Sequence, residues 1–88
     1  MNKNRRYELA EWIKKVEKWT AHGESLKYEL ENIRDDEQDY FNNMPDGFQC
    51  GQRGIDAEDA IDSMNEAIES IENAIDSAEE AINCIISM

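Results

Sequence analysis

The residues of this chain that could carry chemistry are mostly carboxylates, and one cluster of them lies on both sides of the single proline, Pro45. Clustered carboxylate oxygens are the ligands that Ca²⁺ and Mg²⁺ prefer. The group lacks the alternating acidic spacing of a dedicated calcium-binding loop, so a solvated acidic surface is the favoured interpretation and we assign no metal ligand. Its members are Asp35, Asp36, Glu37, Asp39, Asp46, Asp56, Glu58 and Asp59.

The other reactive side chains are isolated. His22 is the only histidine, and no arrangement of Cys, Ser or Asp around it would form an activated nucleophile. Cys50 and Cys84 are 34 residues apart. That separation is about 50 Å along a helix, so we expect two free thiols. With no glycine-rich phosphate loop and no metal-ligand spacing, we expect a protein that is not an enzyme, with no catalytic residue and no cofactor.

The charge of the chain is strongly negative and unevenly distributed. Nine basic and 21 acidic residues give a net charge of −12. Residues 1–27 have a net charge of +3, and residues 28–88 have a net charge of −15. This balance argues against direct binding to nucleic acid or to an anionic membrane, because both require a positive surface. It suits a partner with a basic surface, or high solubility alone.

The length and the apolar pattern indicate one small domain without a membrane span. A chain of 88 residues forms a single domain with a marginal core. No apolar run approaches the length of about 18 residues that a spanning helix needs. The basic N-terminus is not followed by an apolar segment, so we expect no signal peptide and a cytoplasmic location.

The second half of the chain has a heptad pattern that predicts a helix over about residues 56–87. Asp56 is the expected N-cap. Three apolar positions per heptad make a stripe wider than a two-helix seam needs, so this helix is expected to face more than one neighbour. The a positions hold Ile61, Ile68, Ile75 and Ile82; the d positions hold Met64, Ile71, Ala78 and Ile85; the g positions hold Ala60, Ala67, Ala74 and Ala81.

The first half predicts another long helix, over about residues 5–42. Its apolar steps of three and four continue through Gly23, which favours one helix over a break at that glycine. Trp12 and Trp19 lie on the apolar side, where core packing is the ordinary interpretation and a binding hot spot is the alternative. The positions in this step pattern are Leu9, Trp12, Val16, Trp19, Gly23, Leu26, Leu30, Ile33, Glu37, Tyr40 and Met44.

A turn and loop over about residues 43–55 would join the two helices into an antiparallel hairpin. Pro45 presets its backbone for a turn, and Gly47 would supply a positive φ. The resulting register sets Met44 level with Ala57 and Gly23 level with Ala78, and leaves Leu9 and Trp12 overhanging. The turn residues are Asn43, Pro45, Asp46 and Gly47.

Residues 30–80 resemble a group of small acidic helical-hairpin proteins of phages and mobile elements, mostly of unassigned function. The shared pattern is an acidic helix end, an Asn-x-Pro-acid-x-hydrophobe-Gln turn and a heptad helix rich in Glu, Ala and Ile. The resemblance implies a hairpin fold, a phage-type context and a location in the host cell. Cys50 and Gly51 stand where the group has small polar residues. The matching residues are Asn43, Pro45, Asp46, Phe48 and Gln49, flanked by Tyr40 and Phe41.

These observations predict an all-α fold, an antiparallel coiled-coil-like hairpin that dimerises into a four-helix bundle. A lone hairpin would leave a wide apolar stripe uncovered, and closed two-fold pairing is the commonest solution. The residues assigned to the core and the dimer contact are Leu9, Trp12, Val16, Trp19, Leu26, Leu30, Ile33, Ile61, Ile68, Ile71, Ile75 and Ile82.

Two functions fit this description. The leading hypothesis is a small acidic protein that binds and inhibits or modulates a host protein, such as a defence or nucleic-acid-binding protein. The second helix carries one acid per about 4 Å, against one charge per about 1.7 Å in duplex DNA, so DNA mimicry is one form of that hypothesis. The alternative is a self-assembling hairpin that serves as a scaffold. The predicted partner-binding acidic face comprises Asp35, Asp36, Asp39, Asp59, Asp62, Glu66, Glu69, Glu72 and Asp76.

Overall fold

The chain folds into a long, thin helical hairpin. The computed structural model describes residues 2–88. It contains α1 (Lys3–Asn42), α2 (Asp46–Gln49) and α3 (Gln52–Ile86), and no strand occurs in these residues. α1 and α3 pack side by side in opposite directions, and the molecule measures 69 × 15 × 14 Å. The predicted all-α hairpin is confirmed.

α1 is one helix throughout, so the prediction of continuity through Gly23 is confirmed. Its first turn is capped by the side chain of Asn2, which accepts a hydrogen bond of 2.8 Å from the backbone N–H of Arg5. A single glycine costs a helix only about 1 kcal/mol relative to alanine. The good helix formers on both sides of Gly23 outweigh that cost.

The connection between the long helices is more ordered than the predicted loop. Pro45, with φ of −56°, is the N-cap of the short helix α2, and the N–H of Phe48 donates to the Pro45 carbonyl at 2.8 Å. Gly47 lies inside α2 and no residue from 2 to 88 has a positive φ, so the predicted role of Gly47 is wrong. The amide Nε2 of Gln49 donates to the carbonyl of Phe41 at 3.0 Å and so ties α2 to the end of α1.

α3 begins at Gln52, four residues before the predicted start, with Gly51 as its N-cap. The predicted cap, Asp56, is inside the first turns, where its carboxylate accepts a hydrogen bond of 2.7 Å from Gln52. Gly54 permits this early start. A Cβ at Gly54 would collide with the backbone of Gln49, so the helix can begin beside α2 only with glycine at this position.

The core is a single seam between α1 and α3. On α3 it contains Ala57, Ile61, Ile68 and Ile75, the buried apolar side chains of the described residues, each with at most 7% of its surface exposed. The predicted burial of these isoleucines is confirmed. On α1 the residues turned toward α3 are partly buried and include several polar ones. They are Leu9, Ile13, Val16, Thr20, Gly23, Lys27, Leu30, Arg34, Glu37 and Phe41, and the half-buried Met44 follows just after the end of α1.

Half of the predicted α1 seam is therefore wrong for a single hairpin. Trp12, Trp19, Leu26, Ile33 and Tyr40 are exposed, and residues one position further along the chain take their places. The rotation of α1 brings Lys27 and Arg34 against α3, where their aliphatic stems cover the seam and their charged ends reach polar partners. The apolar periodicity of the sequence predicts that the row from Trp12 to Tyr40 faces α3. In the structure the neighbouring, more polar row that contains Lys27 and Arg34 faces α3 instead.

The register between the helices differs from the predicted one by about one helical turn. Gly23 lies against Ile75, with a Cβ at Gly23 placed 3.3 Å from the Ile75 Cγ1, instead of against Ala78. The ordered α2 and the early start of α3 shorten the connection and move α3 along α1. As a result the predicted overhang of Leu9 and Trp12 is reduced, and both residues line a groove with Ile85.

Candidate interaction surfaces

One long side of the hairpin carries a row of large apolar side chains, which we name the apolar face. Helical spacing of seven residues aligns Trp12, Trp19, Leu26, Ile33 and Tyr40 on one side of α1. Their exposed fractions lie between 40% and 57%. The hairpin alone therefore leaves a continuous row of large apolar side chains about half exposed.

α3 completes the apolar face with small residues. Ala67 and Ala74 are exposed and Ala60 and Ala81 are half-buried, all on the side of α3 that adjoins the tryptophans of α1. Ile71 is half-buried beside them. Because alanine side chains are short, a further helix could approach α3 closely along this line.

Shallow grooves mark both ends of the apolar face. The groove at the free end has a volume of ≈ 500 Å³ and is lined by Leu9, Trp12 and Ile85, with Arg5 and Glu8 at its rim. The groove at the turn end has a volume of ≈ 370 Å³. Its lining comprises Tyr40, Asn43, Met44, Pro45, Phe48 and Arg53. The apolar face therefore ends in a shallow groove at each end of the hairpin.

The opposite long side is polar and is closed by contacts within the chain, and we name it the polar face. The Lys27 Nζ lies 3.6 Å from a carboxylate oxygen of Glu72, and the Lys27 side chain is only 19% exposed. The Arg34 guanidinium donates to the Asn65 side-chain oxygen at 3.1 Å and also pairs with Asp35 at 3.0 Å. These contacts were not predicted from the sequence. The seven-residue spacing of Lys27 and Arg34 could have indicated that the two side chains lie on the same side of α1.

The predicted acidic face is exposed but does not form one surface. Asp35 and Asp39 point away from α3 on the outer side of α1, near the turn. Asp59, Asp62, Glu66, Glu69, Glu72 and Asp76 all lie on α3, at its polar face and its outer side. Asp36 is exposed on α1 beside the apolar face. The two acidic groups are separated by the width of the hairpin, since the helices lie side by side.

The reactive residues remain scattered in the fold. Within residues 2–88 no three His, Cys, Asp or Glu side chains are grouped so as to hold a metal ion. Cys50 and Cys84 are exposed free thiols at opposite ends of the hairpin, and His22 is exposed on α1.

Comparison with known proteins identifies no relative: no family model, no curated protein and no solved structure matches the chain. In the part of the chain that the structure describes, none of the helices has both the length and the apolar character needed to cross a bilayer.

Proposed function

We propose that this protein is a non-enzymatic assembly module that pairs with a second copy of itself through the apolar face, forming a four-helix bundle that acts as a scaffold. The observation that carries the proposal is the row from Trp12 to Tyr40, left 40–57% exposed by the hairpin. Full burial of such a side chain is worth about 1.5–3 kcal/mol. Five such side chains in each chain would contribute a large free energy of burial on pairing, although about half of the surface of each is already covered within the hairpin.

The shape of the chain supports the same conclusion. Its accessible surface is 6670 Å², whereas a compact monomer of this mass exposes about 5300 Å². Its radius of gyration is 19.9 Å, against about 12 Å for a compact domain of this length. A standard protein interface removes about 800 Å² from each partner. The surplus surface of the hairpin is thus sufficient for a stable dimer.

A second function, modulation of a host protein with a basic surface, is supported by where the acids of α3 lie. Helical geometry places the acidic residues from Glu58 to Glu80 at the polar face and the outer side of α3, away from its alanines. They would stay exposed after dimerisation through the apolar face. This role agrees with the resemblance to phage-type proteins and with a cytoplasmic location, and it involves no direct binding to nucleic acid or membrane.

Sedimentation equilibrium at micromolar concentration tests the dimer. We expect twice the chain mass of 10.2 kDa for the unchanged protein and the chain mass for Trp19→Glu, which places a charge within the pairing surface. Ala21→Glu adds the same charge on the exposed outer side of α1 and should remain dimeric. A monomer that melts independently of concentration would contradict the proposal.

Capture from host lysate tests the second function. A specific partner, identified by mass spectrometry, should elute as salt rises through about 0.3 M, because exposed charges are screened at that ionic strength. A variant with Glu66→Gln and Glu69→Gln should capture less of the same partner, whereas the dimer mass should not change. If neither salt nor these substitutions changed the amount of partner captured, the acidic surface would not be the binding site.

A further inference from the structure

We propose that the two hairpins pair in opposite directions, about a two-fold axis that crosses the bundle at the level of Leu26 and Ile71. This inference rests on the proposed self-assembly and specifies its geometry. α1 then lies against α1 of the second copy, α3 lies against α3 of the second copy, and the two turns are at opposite ends. In the competing arrangement both turns are at one end, and α1 lies against α3 of the second copy.

The charges beside the apolar row distinguish these arrangements. α1 is polarised: residues 1–27 carry +3, whereas residues 28–42 carry six acids and one arginine. Pairing in opposite directions sets the basic half of each α1 against the acidic half of the other. Pairing with both turns at one end would instead gather the acidic ends of all four helices together, where like charges repel.

The same complementarity holds residue by residue. Lys15, His22, Glu29 and Asp36 recur every seven residues along the outer margin of the apolar row, and all four are exposed. Antiparallel packing centred on Leu26 pairs Trp12 with Tyr40 and Trp19 with Ile33 in the interior. On the margin it sets Lys15 opposite Asp36 and His22 opposite Glu29. With both turns at one end, these four residues would face α3, where the corresponding margin is uncharged.

That margin of α3 suits contact with α3 of the second copy. Beyond the alanine row lie Ser63, Ser70 and Ser77, all exposed, and no acid falls between Ser63 and Ser77 on this side of the helix. Two α3 helices can therefore approach without opposing charges, although the protein is strongly acidic as a whole. Antiparallel packing centred near Ile71 sets Ser70 opposite itself and Ser63 opposite Ser77.

The apolar row of α1, from Trp12 to Tyr40, and the row of small residues on α3 have their midpoints at the same level of the hairpin. A single two-fold axis requires this. The contacts of Gly23 with Ile75 and of Lys27 with Glu72 set Leu26 level with residues 72–73. The midpoint of the α3 row is Ile71, which lies within about 3 Å of that level at the helical rise of 1.5 Å per residue. The position that gives the α1 rows of the two copies their greatest overlap therefore also gives the α3 rows of the two copies their greatest overlap.

Thiol cross-linking tests the orientation in a background carrying Cys50→Ser and Cys84→Ser, both exposed positions. A bis-maleimide that spans about 8–10 Å, the separation of packed helices, reports which positions are adjacent. Ser70→Cys should give a cross-linked dimer. Ser63→Cys alone should not, because its two copies would be about 21 Å apart along the axis. A mixture of Ser63→Cys with Ser77→Cys should cross-link.

The outcomes separate this inference from the proposed function. If sedimentation gives a dimer but Ser70→Cys fails to cross-link, or Ser63→Cys links to itself equally well, the orientation is wrong and the self-assembly stands. If sedimentation gives only a monomer, both are wrong. Circular dichroism of each variant confirms that the helices are retained before cross-linking.

A charge exchange gives an independent readout. Lys15→Glu should raise the dimer dissociation constant about 3- to 10-fold, since the two-fold axis repeats each exposed pair and an attraction becomes a repulsion. Lys15→Glu combined with Asp36→Lys should restore the original constant. An unchanged constant for Lys15→Glu, or no recovery in the double variant, would overturn the antiparallel pairing.

Discussion

The two long faces of this hairpin share one seam but differ in what covers it. On the polar face, Lys27 and Arg34 are long enough to reach Glu72 and Asn65 and close the side of the seam within one chain. On the apolar face, the side chains from Trp12 to Tyr40 are aromatic or aliphatic, and the α3 residues beside them are mostly alanines. These α1 side chains remain about half exposed.

The difference teaches that α1 carries two adjacent heptad rows, one turned toward α3 and one that the single chain leaves exposed. Each exposed ion pair on the polar face is worth about 0–1 kcal/mol, so that face orients the helices without adding much stability. Each large side chain on the apolar face is worth more once covered. The self-assembly proposed above would therefore add stability mainly through the apolar face.

The largest expected effect comes from breaking the seam on which both faces depend. Ile75→Asp places a charge at a position only 5% exposed, and an unpaired buried charge costs several kcal/mol. We expect loss of the helical signal in circular dichroism. Asn73→Asp adds the same charge at an exposed position of α3 and should leave the signal unchanged. A folded Ile75→Asp variant would show that the seam is misassigned.

A slightly smaller effect is expected at the turn, which fixes the register between the faces. Gly54→Ala would force its Cβ into the backbone carbonyl of Gln49, and backbone atoms cannot move aside as a flexible side chain can. We expect the free energy of unfolding to fall by about 1–3 kcal/mol, measured by urea titration. Gly47→Ala meets no atom within 4 Å and should be neutral or stabilising. Equal stabilities for the two variants would contradict the close packing of α2 on α3.

Neighbouring residues on opposite faces give the most direct comparison. Leu26→Gln should raise the dimer dissociation constant by about 10- to 100-fold, since half of each leucine's burial energy is lost at two symmetric positions. Lys27→Gln should leave that constant unchanged and lower the stability of the hairpin by less than about 1 kcal/mol. The concentration dependence of the melting temperature measures both. Equal effects on dimerisation would mean that the faces are not distinct.

The smallest expected effect is at Gly23, in the seam between the faces. Gly23→Ala improves helix propensity by about 1 kcal/mol, while its Cβ would meet the Ile75 Cγ1 at 3.3 Å. A side-chain atom can shift by a few tenths of an ångström, so we expect a net gain of about 0.5 kcal/mol in thermal unfolding. Gly23→Leu should instead destabilise the hairpin by about 1–3 kcal/mol. Stabilisation by leucine would indicate a looser seam than the one described.

The sequence predicts the helices far better than it predicts their contacts. The heptads of Ile61, Ile68 and Ile75 identify α3 and its buried row, and the unbroken phase through Gly23 identifies α1 as one helix. The start of α3 was missed because Asp56 is a good N-cap type, whereas the close approach of Gly54 to Gln49 depends on a contact that no local pattern reveals.

The sequence by itself determined that the chain is two long helices joined near Pro45, because helical periodicity and turn chemistry are local properties. Only the tertiary structure decided which row of α1 faces α3. Rows that begin at Trp12 and at Ile13 are both compatible with the shared positions Leu9, Val16 and Leu30. The choice depends on the rotation and register of α1 against α3, set by the turn, by Gly23 and by the reach of Lys27 and Arg34. That rotation places the tryptophans outward, since a helix can turn only one side to one neighbour.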